Sequence, residues 1–117
     1  MTDSYPDSAA TSTAQRKLLP NRRLAVTTDL EIRGQRYVMT VGFFPGTEEP
    51  AEIFISATKV GSEADTNARD ASVITSIALQ YGVPLDVLRR AVMRDSHGFG
   101  SGPLAVALDR IAAEASL

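Results

Sequence analysis

The chain has 117 residues, of which 44% are hydrophobic and 22% are charged, and its formal net charge is −2. These values are typical of one small globular domain. The slightly negative balance argues against bulk binding to nucleic acid or to an anionic membrane, because both need a basic excess. The chain contains no cysteine, which excludes disulfides, thiolate metal sites and thiol catalysis. No apolar run approaches the roughly 20 residues that span a bilayer, and no secretion signal is visible, so we expect a cytoplasmic protein.

The N-terminal segment differs in composition from the rest of the chain. Residues 1–18 are rich in Ser, Thr, Ala and Asp and show no hydrophobic periodicity. Such a segment cannot bury enough surface to offset its ordering entropy, so we expect a disordered tail at 1–18 and a folded domain at 19–117. Arg22 and Arg23 are expected to tie the start of this domain to acids on its body, with anion binding as the alternative.

Three strands are expected in the first half of the domain. Apolar and polar residues alternate from Leu24 to Arg33, which is typical of a half-buried strand. A short turn at Gly34 and Gln35 leads into a second alternating stretch over residues 36–44. A third strand is predicted from Ala51 to Ser56. Strands joined by such short connections form an antiparallel meander.

Helices are expected in the second half. From Asp65 the hydrophobic period changes to 3.6, and the pattern predicts an amphipathic helix whose buried stripe is Ala71, Ile74, Ile77, Ala78 and Tyr81. Plausible N-caps of this helix are Ser62, Asp65 and Thr66, and Gly82 can close it. A second helix is expected at Pro84, with Leu85, Leu88 and Val92 inward, and a third at Pro103, with Leu104, Ala107, Leu108 and Ile111 inward. We therefore predict an α+β fold, a three-stranded antiparallel meander covered on one face by two to three C-terminal helices.

Apolar side chains are also expected on the sheet face that the helices leave open. These side chains are Val38, Phe44 and Phe54. A lone domain rarely exposes such a patch to water, so we predict a homodimer that pairs through this face.

The first candidate site lies at the start of the predicted long helix. A helix N-terminus offers free N–H groups and a positive dipole end, which suit a phosphate or carboxylate. Lys59, Ser62, Thr66 and Arg69 could add charge and hydroxyl donors there. The alternative is ordinary capping by Ser62, Asp65 or Thr66 with a surface ion pair at Arg69, and caps occur at nearly every helix.

The second candidate site is the glycine-rich stretch RRAVMRDSHGFGSGP, residues 89–103. Arg90, Arg94 and Ser96 could bind phosphate oxygens beside backbone N–H groups of the loop. The stretch matches neither a P-loop nor a dinucleotide fingerprint, and a flexible linker is the alternative. His97 and Asp95 could form an acid–base pair, but no nucleophile motif accompanies them. One histidine without cysteine does not build an ordinary transition-metal site. We expect no catalytic residue, metal or cofactor.

Five motifs in a consistent order resemble one known family. They are LPNRR at 19–23, AEIFI at 51–55, KVGSEADTNARD at 59–70, IALQYGVPL at 77–85 and RRAVMRDSHGFGSGPLAVALD at 89–109. Together they resemble the TSCPD domain, which occurs at the C-terminal end of adenosylcobalamin-dependent (class II) ribonucleotide reductases and as small separate proteins. The resemblance spans about Leu18 to Ala112.

This resemblance implies a role near deoxynucleotide metabolism. In the full reductases the family places radical chemistry, cobalamin and substrate in a large separate barrel that uses cysteines, and none of that barrel is present. The cysteine-containing segment that names the domain is also missing, which argues against a redox role. The resemblance implies a non-catalytic binding or regulatory module, with a ribonucleotide reductase or a nucleotide-like phosphorylated ligand as partner. The alternatives are an accessory part of a cobalamin-dependent reductase acting in trans, and a structural homo-oligomer. A nucleic-acid module is not favoured, since no aromatics alternate with basic residues on one face.

Overall fold

The computed structural model describes residues 15–115, and this part of the chain forms a three-stranded antiparallel sheet followed by three helices. The strands are β1 (Ala25–Ile32), β2 (Gln35–Phe43) and β3 (Pro50–Ala57), in the spatial order β1-β2-β3. The helices are α1 (Glu63–Gln80), α2 (Leu85–Ala91) and α3 (Pro103–Ala115). The predicted α+β fold with a meander and C-terminal helices is confirmed.

The hairpin between β1 and β2 turns one residue earlier than expected. Ile32 pairs with Gln35, so the two turn residues are Arg33 and Gly34 rather than Gly34 and Gln35. Both have positive φ, 51° and 81°. Two-residue hairpins favour such left-handed turns because their twist matches that of the strands, and glycine takes the second position without a steric penalty.

The hydrophobic core lies between one face of the sheet and helix α3. Met39, Ile53 and Ile55 project from β2 and β3 and are almost fully buried. Leu108 has no exposed surface, and it packs in the same cluster together with Ala107 and Ile111. Leu85, Leu88, Val92 and Leu104 are partly buried against this cluster. The buried stripes predicted for the second and third helices are therefore confirmed.

The buried stripe predicted for the long helix is wrong. Ile74 is 69% exposed and Tyr81 is 48% exposed, and Ile77 also lies on the outer side of α1. The face of α1 that points inward is instead largely polar and consists of Asp65, Ala68, Ser72, Thr75, Ser76, Leu79 and Gln80. The helix is thus turned by about half a revolution from the orientation that its hydrophobic periodicity indicates.

This orientation arises because α1 lies along the outer edge of β3 instead of on the face of the sheet. An uncovered edge strand leaves its N–H and C=O groups without partners. Ser76 Oγ accepts a hydrogen bond from Ile53 N–H at 2.8 Å, and Ser72 Oγ accepts from Ile55 N–H at 3.2 Å. At the two ends, Asp65 accepts from Ala57 N–H at 2.9 Å and the Gln80 amide donates to Ala51 C=O at 3.1 Å. The polar side chains of α1 therefore replace a fourth strand.

The residues that precede β1 are attached to the body of the domain. Lys17 N–H donates to the carbonyl of Gln80 at 2.8 Å. Arg23 forms a two-pronged ion pair with Glu52, which is 7% exposed. The prediction that Arg23 binds an acid on the body is confirmed. Of the tail predicted at 1–18, residues 1–14 lie outside the described part, so that prediction stays open.

Candidate functional site

At the start of α1, the hydrogen-bonding groups are already used by the chain itself. Ser62 is the N-cap, and its hydroxyl oxygen accepts from Asp65 N–H at 3.1 Å. The carboxylate of Asp65 is buried behind it and accepts from Gly61 N–H at 3.1 Å and from Arg69 Nε at 3.0 Å. An internal carboxylate therefore lies where an external anion would bind. Within the described residues, the side chains of Lys59 and Thr66 are exposed and have no bonding partner, so they are the free groups of this predicted site.

Arg94 is the centre of the second candidate site. Its guanidinium donates to both carboxylate oxygens of Asp109, at 2.7 and 2.8 Å, and to the carbonyls of Arg89 and Gly98. Arg89 binds the same Asp109 carboxylate through Nε at 3.0 Å. One acid of α3 thus holds two arginines, and Arg94 ties the end of α2 to the glycine-rich loop.

The glycine-rich loop uses its own N–H groups internally. The N–H groups of His97 and Phe99 donate to the Asp95 carboxylate, and Gly98 N–H donates to the carbonyl of Asp95. Ser101 N–H donates to the carbonyl of Met93. Few donors are left to surround a phosphate, and the linker interpretation fits this geometry. Asp95 binds backbone N–H groups here, so it does not orient the His97 imidazole for acid–base chemistry.

A shallow positive depression remains beside this loop. It has a volume of about 250 Å³ and is lined by Asp86, Arg89, Arg90 and Arg94. Arg90 is exposed and has no ion-pair partner among residues 15–115. Ser96 lies nearby in sequence and is also exposed. In the described part of the chain, no hydrogen bond or ion pair joins this group to the group at the start of α1, so the two predicted clusters form separate surfaces.

Gly100 fixes the close packing of the loop onto α3. A Cβ added at Gly100 would lie 2.6 Å from the Cβ of Ala105 and 2.9 Å from its backbone carbon. We expect Gly100→Ala to lower the free energy of unfolding by about 1–3 kcal/mol, the usual cost of overpacking. Gly102→Ala is the matched control, because a Cβ there meets nothing within 4 Å. Equal stability of the two variants in urea unfolding would contradict this packing.

The two internal carboxylates predict how stability depends on pH. Hydrogen bonds from Arg94 lower the pKa of Asp109, and the N–H of Gly61, followed by those of Ala57 and Arg69, lowers the pKa of Asp65. A carboxylate with a depressed folded-state pKa stabilises the fold above its unfolded pKa and loses that contribution as the pH falls through the folded value. We expect the free energy of unfolding to be nearly constant down to about pH 5 and to fall below about pH 4. Asp109→Asn should flatten this fall in urea titrations, whereas the exposed Asp29→Asn should leave it unchanged.

An apolar cavity lies away from all candidate site residues singled out in the sequence. It has a volume of about 210 Å³ and opens between the first two strands and the C-terminal half of α3. Its lining includes Val26, Met39, Val41 and Ile111, together with the acids Glu48 and Glu114. The combination of apolar walls and two carboxylates does not suit a phosphorylated ligand. Sequence periodicity offers no signal for this cavity, because its walls come from separate elements of the fold.

Only two of the three residues predicted for the sheet interface lie on the same face of the sheet. Val38 pairs with Ser56 and Phe54 pairs with Thr40, so Val38 and Phe54 share the open face. Phe44 lies beyond the irregularity at Gly42 and Phe43, with the ammonium of Lys17 5.0 Å above its ring. Phe44 lines a cavity near the C-terminal end of α1, away from the open face that Val38 and Phe54 share. The prediction of pairing through this face remains a prediction.

Comparisons with known proteins find sequence similarity to one class of enzyme. It is 36% identical over 74 residues to a vitamin B12-dependent ribonucleotide reductase of Rhodopirellula baltica, a match that covers 63% of this chain and 7% of the reductase. Reductases of the same description from Streptantibioticus cattleyicolor and Agrobacterium fabrum are each 35% identical over 71 and 72 residues. These matches cover 61% and 62% of this chain, and 12% and 6% of the respective reductases.

The chain therefore spans only a small part of the curated relatives that it matches. No family model matches it. No solved structure matches it either. What the comparisons show is a similarity to a segment of about 70 residues of B12-dependent ribonucleotide reductases. Among residues 15–115, no helix is both long enough and apolar enough to cross a membrane.

Proposed function

We propose that the chain is a non-catalytic, TSCPD-like binding module that acts together with a vitamin B12-dependent ribonucleotide reductase. The observation that carries this proposal is the 36% identity over 74 residues to a reductase of that kind. The matched part is 7% of that reductase, too short to contain a whole enzyme. The 117 residues also contain no thiol that could take part in cysteine chemistry.

A direct titration tests the partner of this module. The purified chain is titrated calorimetrically into the B12-dependent ribonucleotide reductase of the same genome, with an unrelated cobalamin enzyme as control. We expect saturable binding to the reductase and none to the control. No binding at high micromolar concentration would contradict the proposal. Turnover by the reductase is measured in the same mixtures, and a rise that depends on the chain would support the accessory role in trans.

A phosphorylated ligand is the second candidate, favoured by the exposed Arg90 in the depression beside Arg94. The residues proposed for it are those of the two positive surfaces, Lys59, Ser62, Thr66 and Arg69 at α1, and Arg90, Arg94 and Ser96 at the loop. Since most donors at the start of α1 already have internal partners, the depression at Arg90 is the better candidate of the two. Its role would be to neutralise charge on phosphate oxygens.

A thermal-shift screen of nucleoside di- and triphosphates tests this ligand. A ligand that binds only the folded chain raises the melting temperature as its concentration passes the dissociation constant. We expect Arg90→Glu to abolish the shift and Arg36→Glu, an exposed arginine on the sheet, to preserve it. No shift with any nucleotide at millimolar concentration would remove the ligand from the proposal and leave the protein partner.

A further inference from the structure

The outer edge of β1 has no partner in the described part of the chain. β1 and β3 are the two end strands of the sheet, and α1 covers only the edge of β3. An uncovered edge presents a row of free N–H and C=O groups, which is a template for pairing with another strand.

The ladder between β1 and β2 shows which backbone groups point outward. Ile32 and Gln35 close a two-residue hairpin, and Phe43 N–H donates to the carbonyl of Leu24 at 3.4 Å. Residues that bond to the partner strand alternate with residues whose N–H and C=O point away. The even-numbered residues of β1 therefore bond to β2. The outward groups belong to the exposed residues Ala25, Thr27, Asp29 and Glu31. Among residues 15–115, no hydrogen bond reaches these backbone groups.

The apolar cavity between the first two strands and α3 lies next to this edge. Val26 and Thr28 of β1 form one wall of it, and their side chains project from the helix-covered face of the sheet. Side chains alternate between the two faces of a strand, so every second side chain of an added strand lies beside this wall. The volume of about 210 Å³ can hold an apolar side chain such as leucine. The edge and the cavity therefore form one site.

Acidic side chains flank this site on both faces of the sheet. Asp29 and Glu31 lie on the open face, and Glu48 and Glu114 line the cavity. Asp29, Glu31 and Glu48 have no ion-pair partner within residues 15–115, whereas Glu114 is 3.4 Å from Arg110. β1 itself contains two acids and no base. Opposite charges on adjacent strands stabilise their pairing, so the edge favours a basic strand.

We propose that the edge of β1 binds an extended segment of another protein, in which apolar residues alternate with lysine or arginine. The segment adds a fourth strand to the sheet. One apolar side chain enters the cavity beside Val26, and basic side chains lie beside Asp29 and Glu31. This surface is separate from the depression at Arg90, and the proposal does not rest on the function proposed above.

Charge favours another protein over a segment of this chain. A second copy offers its own β1, and two paired β1 strands bring four carboxylates together with no base on either strand. Like charges on adjacent strands are destabilising. Residues 1–14 also contain two acids and no basic side chain. Neither segment matches the charge of the edge.

Fluorescence anisotropy with the labelled peptide KVKLKVKVK tests the site. A strand added at one edge buries less than an interface of standard size, so we expect saturable binding in the micromolar range. The peptide KKVLVVKKK has the same composition without the alternation, and EVELEVEVE has the opposite charge. Neither should bind in that range. No binding of KVKLKVKVK at millimolar concentration, or equal binding of KKVLVVKKK, would overturn the proposal.

N-methylated peptides test the backbone pairing. A strand bonds to an edge through every second residue. Methylation of all lysine amides of KVKLKVKVK therefore blocks one edge of the peptide, and methylation of all valine and leucine amides blocks the other. One methylated peptide should lose binding and the other should keep it; in antiparallel pairing the lysine amides are the bonding set. Equal affinities of the two would contradict strand addition.

Charge reversal on the chain locates the binding. Asp29→Lys/Glu31→Lys should weaken binding of KVKLKVKVK by about tenfold. Glu63→Lys/Asp70→Lys is the matched control, because it changes the net charge equally at exposed residues of α1, and it should leave the affinity unchanged. Circular dichroism confirms that both variants are folded. Equal weakening in the two variants would mean attraction to the net charge of the chain instead of to this edge.

Amide hydrogen exchange separates this occupant from the other two. In the free full-length chain, the outward amides of β1 should exchange fast, and KVKLKVKVK should slow them. Slow exchange without the peptide would mean that the edge is already covered, by a second copy if it depends on protein concentration and by residues 1–14 if it does not. Either result would overturn the proposal.

Discussion

The double variant Ser72→Ala/Ser76→Ala should lose about 1–5 kcal/mol of unfolding free energy, a large effect for two serines in a helix. The two hydroxyls accept hydrogen bonds from Ile55 and Ile53 N–H, and both serines are buried. Each buried N–H left without an acceptor costs about 1–3 kcal/mol. The higher helix propensity of alanine returns about 0.5 kcal/mol per site, which does not offset that loss. Urea unfolding followed by circular dichroism gives the difference.

The control for this prediction is an apolar residue on the other side of the same helix. Ile74→Ser removes a large hydrophobic side chain that is 69% exposed. It should cost less than about 1 kcal/mol. A larger loss for Ile74→Ser than for the serine pair would contradict the observed orientation of α1.

Leu108→Ala should lower the free energy of unfolding by about 2–5 kcal/mol, the range found for leucines removed from packed cores. Leu108 has no exposed surface and lies in the core cluster with Met39 and Ile55. Removing its side chain leaves a cavity that the sheet and α3 cannot fill by moving together. The measurement is again urea unfolding, because the change in midpoint is then large and easily resolved.

Leu104→Ala is the matched control for the leucine prediction, one turn earlier on the same helix. Leu104 is only partly buried, so its removal forms a cavity that is open to water. We expect it to cost clearly less than Leu108→Ala. Equal losses at the two positions would mean that the core is not centred on the contact between α3 and the sheet.

The elements of the fold could be predicted from sequence because local signals mark them. Alternation defined the strands, and the expected third helix begins at Pro103 as predicted. Gly82 has φ of 94°, the left-handed conformation expected where α1 ends. The hairpin differs from the prediction in the position of its turn, because Arg33 takes a positive φ that a non-glycine residue seldom adopts.

The orientation of α1 could not be predicted in this way. Hydrophobic periodicity assumes that the apolar stripe of a helix faces the core. Here the competing requirement is the unpaired edge of β3, and Ser72, Ser76 and Gln80 meet it through hydrogen bonds. Serines at i and i+4 with glutamine at i+8 look like a solvent-facing stripe in sequence. Only the position of the strand edge shows that they face inward.

The prediction of the candidate sites was limited in the same way, because a sequence does not show which distant residues come into contact. Arg69 and Arg94 were predicted to bind an anion, but in the structure Arg69 is paired with Asp65 and Arg94 with Asp109. The first partner is four residues away and could have been anticipated from helix spacing. The second is 15 residues away on another helix, and no local pattern indicates it. Arg90 and Lys59 keep the exposure that binding requires.

Amide hydrogen exchange tests the central claim, that α1 turns its polar face to β3 and leaves its apolar face exposed. The amides of Ile53, Ile55 and Ala57 bond to side chains of α1. We expect all three to exchange as slowly as amides of the central strand β2. In Ser72→Ala/Ser76→Ala the amides of Ile53 and Ile55 should exchange much faster than in the wild type. Rapid exchange at these three amides, at the rate of an uncovered strand edge, would contradict the account.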